Sequence, residues 1–129
     1  MNTILVEVSV GELLDKISIL EIKKEKIKDS EKLKFINDEY EVLKDQLDKN
    51  VKSDEKIDKL FQSLKEINAK LWIIEDDKRL CEKNSDFSEK FIKLSRDVHF
   101  LNDDRAKIKL EINHHTGSKI KEIKKYTSY

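Results

Sequence analysis

The sequence predicts an all-α protein, an antiparallel helical bundle built around a long helix-turn-helix hairpin, with a short extended N-terminal segment. Three observations carry that expectation. Proline is absent, and the only glycines, Gly11 and Gly117, bracket more than a hundred residues free of either strong helix breaker. Charged residues make up 42% of the chain and hydrophobic ones 37%, in a Lys/Glu/Leu/Ile composition typical of long helices. Apolar residues recur at three-four spacing through most of the length. At 129 residues there is material for one domain with one modest core.

Residues 1–9 come first and read as extended. Ile4, Val6, Val8 and Val10 alternate with Leu5, Glu7 and Ser9, a β-branched pattern that suits a strand. No second strand is apparent, so such a strand would have to pair across a dimer. Ser9 with Glu12 has the form of a capping box, starting a helix over 10–28. Its residues Val10, Leu13, Leu14, Ile17, Leu20 and Ile27 share one face, while Ile19 and Ile22 fall on another, so contact on two sides is expected.

The stripe of Leu33, Ile36, Tyr40, Leu43 and Leu47 is rotated away from the Ile17 face, which places a break near Asp29 and Ser30 and a second helix over 31–50. A third helix over 54–83 carries Ile57, Leu60, Leu64, Ile67, Leu71, Ile74, Lys78 and Cys81 in near-continuous heptads, a coiled-coil pattern. Asn84 to Asp86 reads as a turn, with Asp86 and Glu89 as a second capping box. The fourth helix, 87–116, presents Phe91, Leu94, Val98, Leu101, Arg105, Ile108 and Ile112 and stops at Gly117, where a left-handed residue is favoured. The tail, 117–129, has no stop signal and is expected to be partly helical.

A three-residue turn forces the last two helices antiparallel. Outside their seam, Phe61, Trp72, Ile73, Leu80, Ile92 and Phe100 need cover from the first two helices or from a second subunit. A homodimer is therefore expected.

Charge and cysteine content narrow the function classes. Basic and acidic residues balance at 27 each, so no net field favours nucleic acid or an anionic membrane surface. The single Cys81 cannot form an internal disulfide, and Glu7 replaces a basic leader ahead of an apolar run too short for a signal peptide. A cytoplasmic protein is expected. Cys81 sits at a seam position without a recognisable triad partner, which suits packing better than catalysis.

Three stretches form a recognisable set: LVEVSVGELLDKISILEIK from Leu5 to Lys23, LWIIEDDKRLCEK from Leu71 to Lys83, and LNDDRAKIKLEIN from Leu101 to Asn113. Together, in this order, the chain resembles a family of small proteins of unknown function from bacteria and bacteriophages. That resemblance implies no activity. It directs attention to the polar residues within the stretches: Glu12, Asp15, Lys16, Glu21, Asp76, Asp77, Arg79, Asn102, Asp103, Asp104 and Arg105.

The strings Glu75 to Arg79 and Asn102 to Arg105 are the densest polar clusters, and carboxylates on helices hold magnesium in all-α phosphohydrolases. If facing residues on the hairpin sum to about 170, the clusters lie roughly 13 Å apart. One chain then cannot close a metal site from both. Surface pairing at i,i+4 explains them more simply. Glu111 and His114 have the Glu-x-x-His spacing of di-iron bundles, but a single copy needs a symmetric partner, and solvated or capping histidines suffice. Of the 27 basic residues only Arg79, Arg96 and Arg105 are arginine, and a planar fork suggests a carboxylate or phosphate partner. Arg105 interrupts the apolar seam and should find Glu66 or an acid of the first helix.

The reading that follows is a non-enzymatic interaction or assembly module, homodimeric, without a cofactor. The alternative is a small all-α enzyme or binding protein for a phosphate or carboxylate metabolite, with a divalent metal as its optional cofactor. Convergence of the Asp15, Asp76 and Arg105 regions in a closed pocket would favour that alternative.

Overall fold

A computed structural model describes residues 2–120 and residue 123. Four helices follow in order: α1 (Val10–Lys26), α2 (Ser30–Asn50), α3 (Glu55–Lys83) and α4 (Glu89–Thr116). Among the described residues there is no strand. Residues 2–8 are exposed and form no ladder, so the alternating pattern of Ile4, Val6 and Val8 is not used for pairing within the chain.

The first three helices each start where a side chain satisfies an orphan amide. Ser9 Oγ accepts from the Glu12 N–H at 3.0 Å. The return half of that capping box is not made, because the Glu12 carboxylate accepts from Lys109 instead. Asp29 Oδ1 accepts from the Glu31 and Lys32 amides at 3.0 and 3.1 Å, and this cap supplies the expected break before α2. Asp54 accepts from Ile57 N–H at 2.8 Å to open α3.

The α3–α4 connection corrects the expected turn. Ser85 adopts a positive φ of 52° and the Asp86 amide donates to the Cys81 carbonyl at 2.8 Å. The Asp86 carboxylate accepts from the Ser88 amide at 3.1 Å rather than capping α4. Ser88 becomes the N-cap without a side-chain bond, and α4 begins at Glu89 rather than at residue 87. Phe87, left outside the helix, packs edge-on against Phe91 with ring centroids 5.4 Å apart. At the other end Gly117 is left-handed (φ 66°, ψ 34°) and donates to the His114 carbonyl, while Ser118 donates to that of Asn113. This paired closure needs a residue without a Cβ penalty.

Helices α3 and α4 form the antiparallel hairpin, each roughly 42 Å long. The α1–α2 pair lies across only its proximal half. Gly11 sits against Lys109 and Asn113 of α4, Asp15 lies between Arg105 and Asn68, and Glu25 reaches Lys65 of α3. α2 packs closely on α1 alone. The core is correspondingly proximal: Leu14, Ile57, Leu64 and Ile112 are buried together, with Leu47, Leu60 and Phe61 against them. Ile22, on the second apolar face of α1, is buried within this chain at 2% exposure, and Ile19, Phe61 and Trp72 are half-buried. α1 is thus contacted on more than one side, by α2 as well as by both helices of the hairpin, as its two apolar faces predict. The tail expected over 117–129 lies largely outside the described residues.

Candidate functional site

The polar residues that converge do so under α1, at the centre of the proximal half. Asp15 is 1% exposed. Arg105 meets it as a fork, with Nε donating to Oδ1 at 2.9 Å and the terminal nitrogen donating to Oδ2. Asn68 adds a third bond, Nδ2 to Asp15 Oδ1 at 2.9 Å, and bridges to Ser18 Oγ at 2.8 Å. Ser18 Oγ in turn donates to the Asp15 carbonyl at 2.7 Å. Three helices are tied through one carboxylate.

A second layer lies one turn toward the start of α1. Lys109 Nζ donates to Glu12 Oε2 at 2.7 Å, and Lys16 approaches the other oxygen at 3.9 Å. Asn113 Oδ1 accepts from the Gly11 amide at 2.7 Å, and Ser118 Oγ from that of Val10 at 3.3 Å. Two amides at the start of α1 thereby find partners on and just beyond α4. Gly11 permits this approach, since a Cβ there would lie 2.5 Å from the Lys109 carbonyl oxygen. The glycine therefore serves close packing of two helices, not a turn.

On the outer side of α1, Lys65 sits between Glu21 at 3.1 Å and Glu25 at 3.0 Å. Its hydrogen bond to Glu25, more than the charge of Glu21, holds its ammonium above the ordinary lysine range. Tyr40 of α2 donates to Glu21 at 3.3 Å and carries Lys24 over its ring at 4.1 Å. Burial first, and then the Glu21 carboxylate, raise the Tyr40 phenol.

Of the residues singled out in the sequence, Asp15 and Arg105 therefore meet, Glu12 and Lys16 lie in the adjoining layer, and Glu21 pairs with Lys65. Asp76, Arg79, Asn102 and Asp104 are exposed, and Asp77 and Asp103 are half-buried elsewhere on the hairpin. Arg105 takes Asp15, an acid of the first helix, rather than the exposed Glu66. The proposed meeting of Asp15, Asp76 and Arg105 does not occur, because Asp76 lines a different, open groove with Ile19, Trp72 and Glu75. Sequence reasoning missed Asn68, Ser18, Lys109 and Asn113, all buried. A usable signal existed for two of them: Lys109 and Asn113 continue the Arg105 face of α4 at i+4 and i+8.

Chemically the cluster is closed. No buried side-chain nitrogen or oxygen is left without a hydrogen-bond partner among the described residues. No group of three or more His, Cys, Asp and Glu is placed to hold a metal ion among them, and Glu111 and His114 are exposed on α4. His115 pairs instead with the α3 cap, Nε2 lying 2.7 Å from Asp54 Oδ2. The Ile57 amide, and after it His115, hold the Asp54 carboxyl below its ordinary range.

The distal half of the hairpin differs in kind. Ile73 (52% exposed), Leu80 (51%) and Phe100 (46%) stand in solvent. Ile73 and Phe100 line an open groove of about 390 Å³ with Lys70, Ile74, Asp97 and Leu101. Cys81 is the one residue of this half, among those described, that is fully buried.

The fold and clusters define an all-α four-helix protein with a polar-clamped base and a projecting two-helix arm. The chain belongs to a family of unknown function, DUF6165, whose model matches residues 4–129. No curated protein and no solved structure matches it. No described helix is long and apolar enough to cross a membrane.

Proposed function

We propose that this protein is a non-enzymatic interaction module that works through the distal arm, the stretch of α3 and α4 running from Ile73 to Phe100. The observation that supports it most is the separation of the two halves. Charged and polar groups gather at the base and satisfy one another, while large apolar side chains are exposed on the arm. An antiparallel helix pair with one fully buried residue gains little from its own packing, so its apolar surface has a use only against another surface. The metabolite-binding alternative loses its main support because the Arg105 fork is already matched to Asp15 in the geometry a ligand carboxylate would need.

A thermal-shift series with magnesium, manganese, nucleotides and sugar phosphates tests the reading, run beside Arg105→Met. The expected result is an unchanged melting temperature with every small molecule. A rise in wild type that vanishes in Arg105→Met replaces the interaction reading with that of an anion-binding protein. The arm enters through Leu80→Gln with Phe100→Gln, which should keep helicity by circular dichroism and abolish association.

A further inference from the structure

The groove lined by Ile73 and Phe100 lies on the face of the hairpin turned away from α1, whose contacts fall on Leu64, Asn68, Trp72, Arg105 and Lys109 instead. Helical spacing fixes what else shares that face. Glu66 and Leu80 are one heptad either side of Ile73 on α3, and Lys93 and Lys107 are one heptad either side of Phe100 on α4. Asp104 follows Phe100 by four residues. Asn68 and Arg105, which meet at Asp15, and Lys70 and Asp97 beside the groove set the pairing of the two helices. In that register Glu66 and Asp104 stand side by side toward the base with Lys107, leaving that end net acidic, and Lys90 and Lys93 stand toward the tip, Lys93 also paired with Asp97 of its own helix at 2.8 Å. The apolar pair Ile73 and Phe100 lies midway between them.

Such a surface is complementary to itself when turned end for end. A two-fold axis through the groove brings Ile73 and Phe100 of one copy onto those of the other. It also sets Lys90 and Lys93 of each tip beside Glu66 and Asp104 of the opposing copy, with Lys70 facing Asp97. A parallel pairing would stack like charges at both ends. We propose that the occupant of this face is a second copy of the chain, docked antiparallel, so that two hairpins form a central four-helix layer with each α1–α2 pair outside. This rests on the interaction reading above and names its partner. An overlap of about 20 residues per helix is roughly 30 Å long, and two helices abreast are about 20 Å wide. That footprint, about 600 Å² before side-chain relief is counted, approaches the ~800 Å² per partner of a stable interface. Isologous contact of one patch with itself is the commonest way soluble chains pair.

Charge reversal at the two ends tests it. Lys90→Glu with Lys93→Glu makes both ends of the face acidic, and Glu66→Lys with Asp104→Lys makes both basic. All four positions are exposed, and the Lys93–Asp97 pair that one variant loses is a surface i,i+4 pair, so each variant should keep its helicity and melt close to wild type. By sedimentation equilibrium at tens of micromolar, wild type should be a dimer and each variant should associate roughly tenfold or more weakly. An equimolar mixture should recover dimer mass, because acidic and basic faces then meet at both ends. A monomeric wild type overturns the proposal, and so does a mixture that stays monomeric while wild type is a dimer. Either result leaves the interaction reading to be judged by its own ligand series, so the two can fail separately. Phe100→Cys in a Cys81→Ser chain gives the orientation directly: oxidation should cross-link copies at Phe100, next to the axis. Leu80→Cys in the same background should not cross-link. The reverse preference overturns the antiparallel arrangement.

Discussion

The two halves of one hairpin share helices, composition and spacing, yet they are held by different physics. In the proximal half the α3–α4 seam is roofed by α1, and the junction is polar: Asp15, Arg105, Asn68 and Ser18 interlock beside an apolar core of Leu14, Leu64 and Ile112. In the distal half the same seam has no roof and only Cys81 is fully buried among the described residues, while Ile73, Leu80 and Phe100 stand in water on the face turned away from α1. Heptad spacing alone does not separate the halves. What separates them is the length of α1, which at 17 residues covers about 25 Å, spent crossing the hairpin rather than following it.

The largest expected effect breaks the proximal half at its centre. Arg105→Met should destabilise the chain by about 3–5 kcal/mol, since it leaves Asp15, 1% exposed, charged and short of two bonds. Removing the acid instead should cost less, because Arg105, with its side chain 29% exposed, can turn toward solvent. The combined Asp15→Leu and Arg105→Met chain should recover most of the loss. Urea denaturation of the three variants decides the matter, and additive losses would mean that the pair is not coupled.

Next comes the approach of α1 to α4. Gly11→Ala should cost about 1–3 kcal/mol in the same assay, despite a gain in helix propensity of about 1 kcal/mol. The added carbon would meet the Lys109 backbone oxygen, which no rotamer change can move. Equal or greater stability in the alanine chain would show that the two helices slide apart freely.

These positions also show what the sequence made legible. Helix number, the cap at Ser9, the break near Asp29 and the stop at Gly117 were readable because each follows from local spacing or from a local rule about amide donors, carbonyls and φ. Arg105 was readable as a seam residue needing an acid. Its partner was not, because the choice between Glu66 and Asp15 depends on where α1 crosses, and amphipathicity gives a helix's buried face without its crossing angle. Asn68 was passed over for the same reason. Asp86 was misassigned as a cap because its carboxylate accepts from the Ser88 amide and α4 starts only at Glu89.

In the distal half the comparison predicts small effects. Leu80→Gln should change the stability of the isolated chain by no more than about 0.5 kcal/mol, as expected for a side chain 51% exposed. Leu64→Ala, fully buried under α1, should cost about 2–5 kcal/mol. Amide exchange sharpens the contrast further: at concentrations too low for association, distal amides such as those of Leu80 and Lys93 should exchange well before those of Leu64 and Ile108. Uniform protection along both helices would show that the hairpin unfolds as one unit.

The smallest expected effect lies at the foot of the proximal half, where α3 begins and α4 ends. Asp54 accepts from the Ile57 amide and pairs with His115, and both interactions, the amide first, lower its pKa from the ordinary 3.8. The direction sets the sign. A carboxyl whose folded pKa is depressed contributes stability that is fully present above the unfolded value and is lost as pH falls through the folded one. Asp54→Asn keeps an oxygen for the cap but carries no charge, so it should remove that acid-side dependence. Urea midpoints of wild type and variant should converge as pH drops below about 3.8 and separate above it, with wild type the more stable. Because the carboxyl lies at the surface with about half of its side chain exposed, the separation should be modest and should shrink in high salt. Parallel curves across the acid range would mean that the Asp54 charge contributes nothing, and that the apolar core around Ile57 alone joins the ends of α3 and α4.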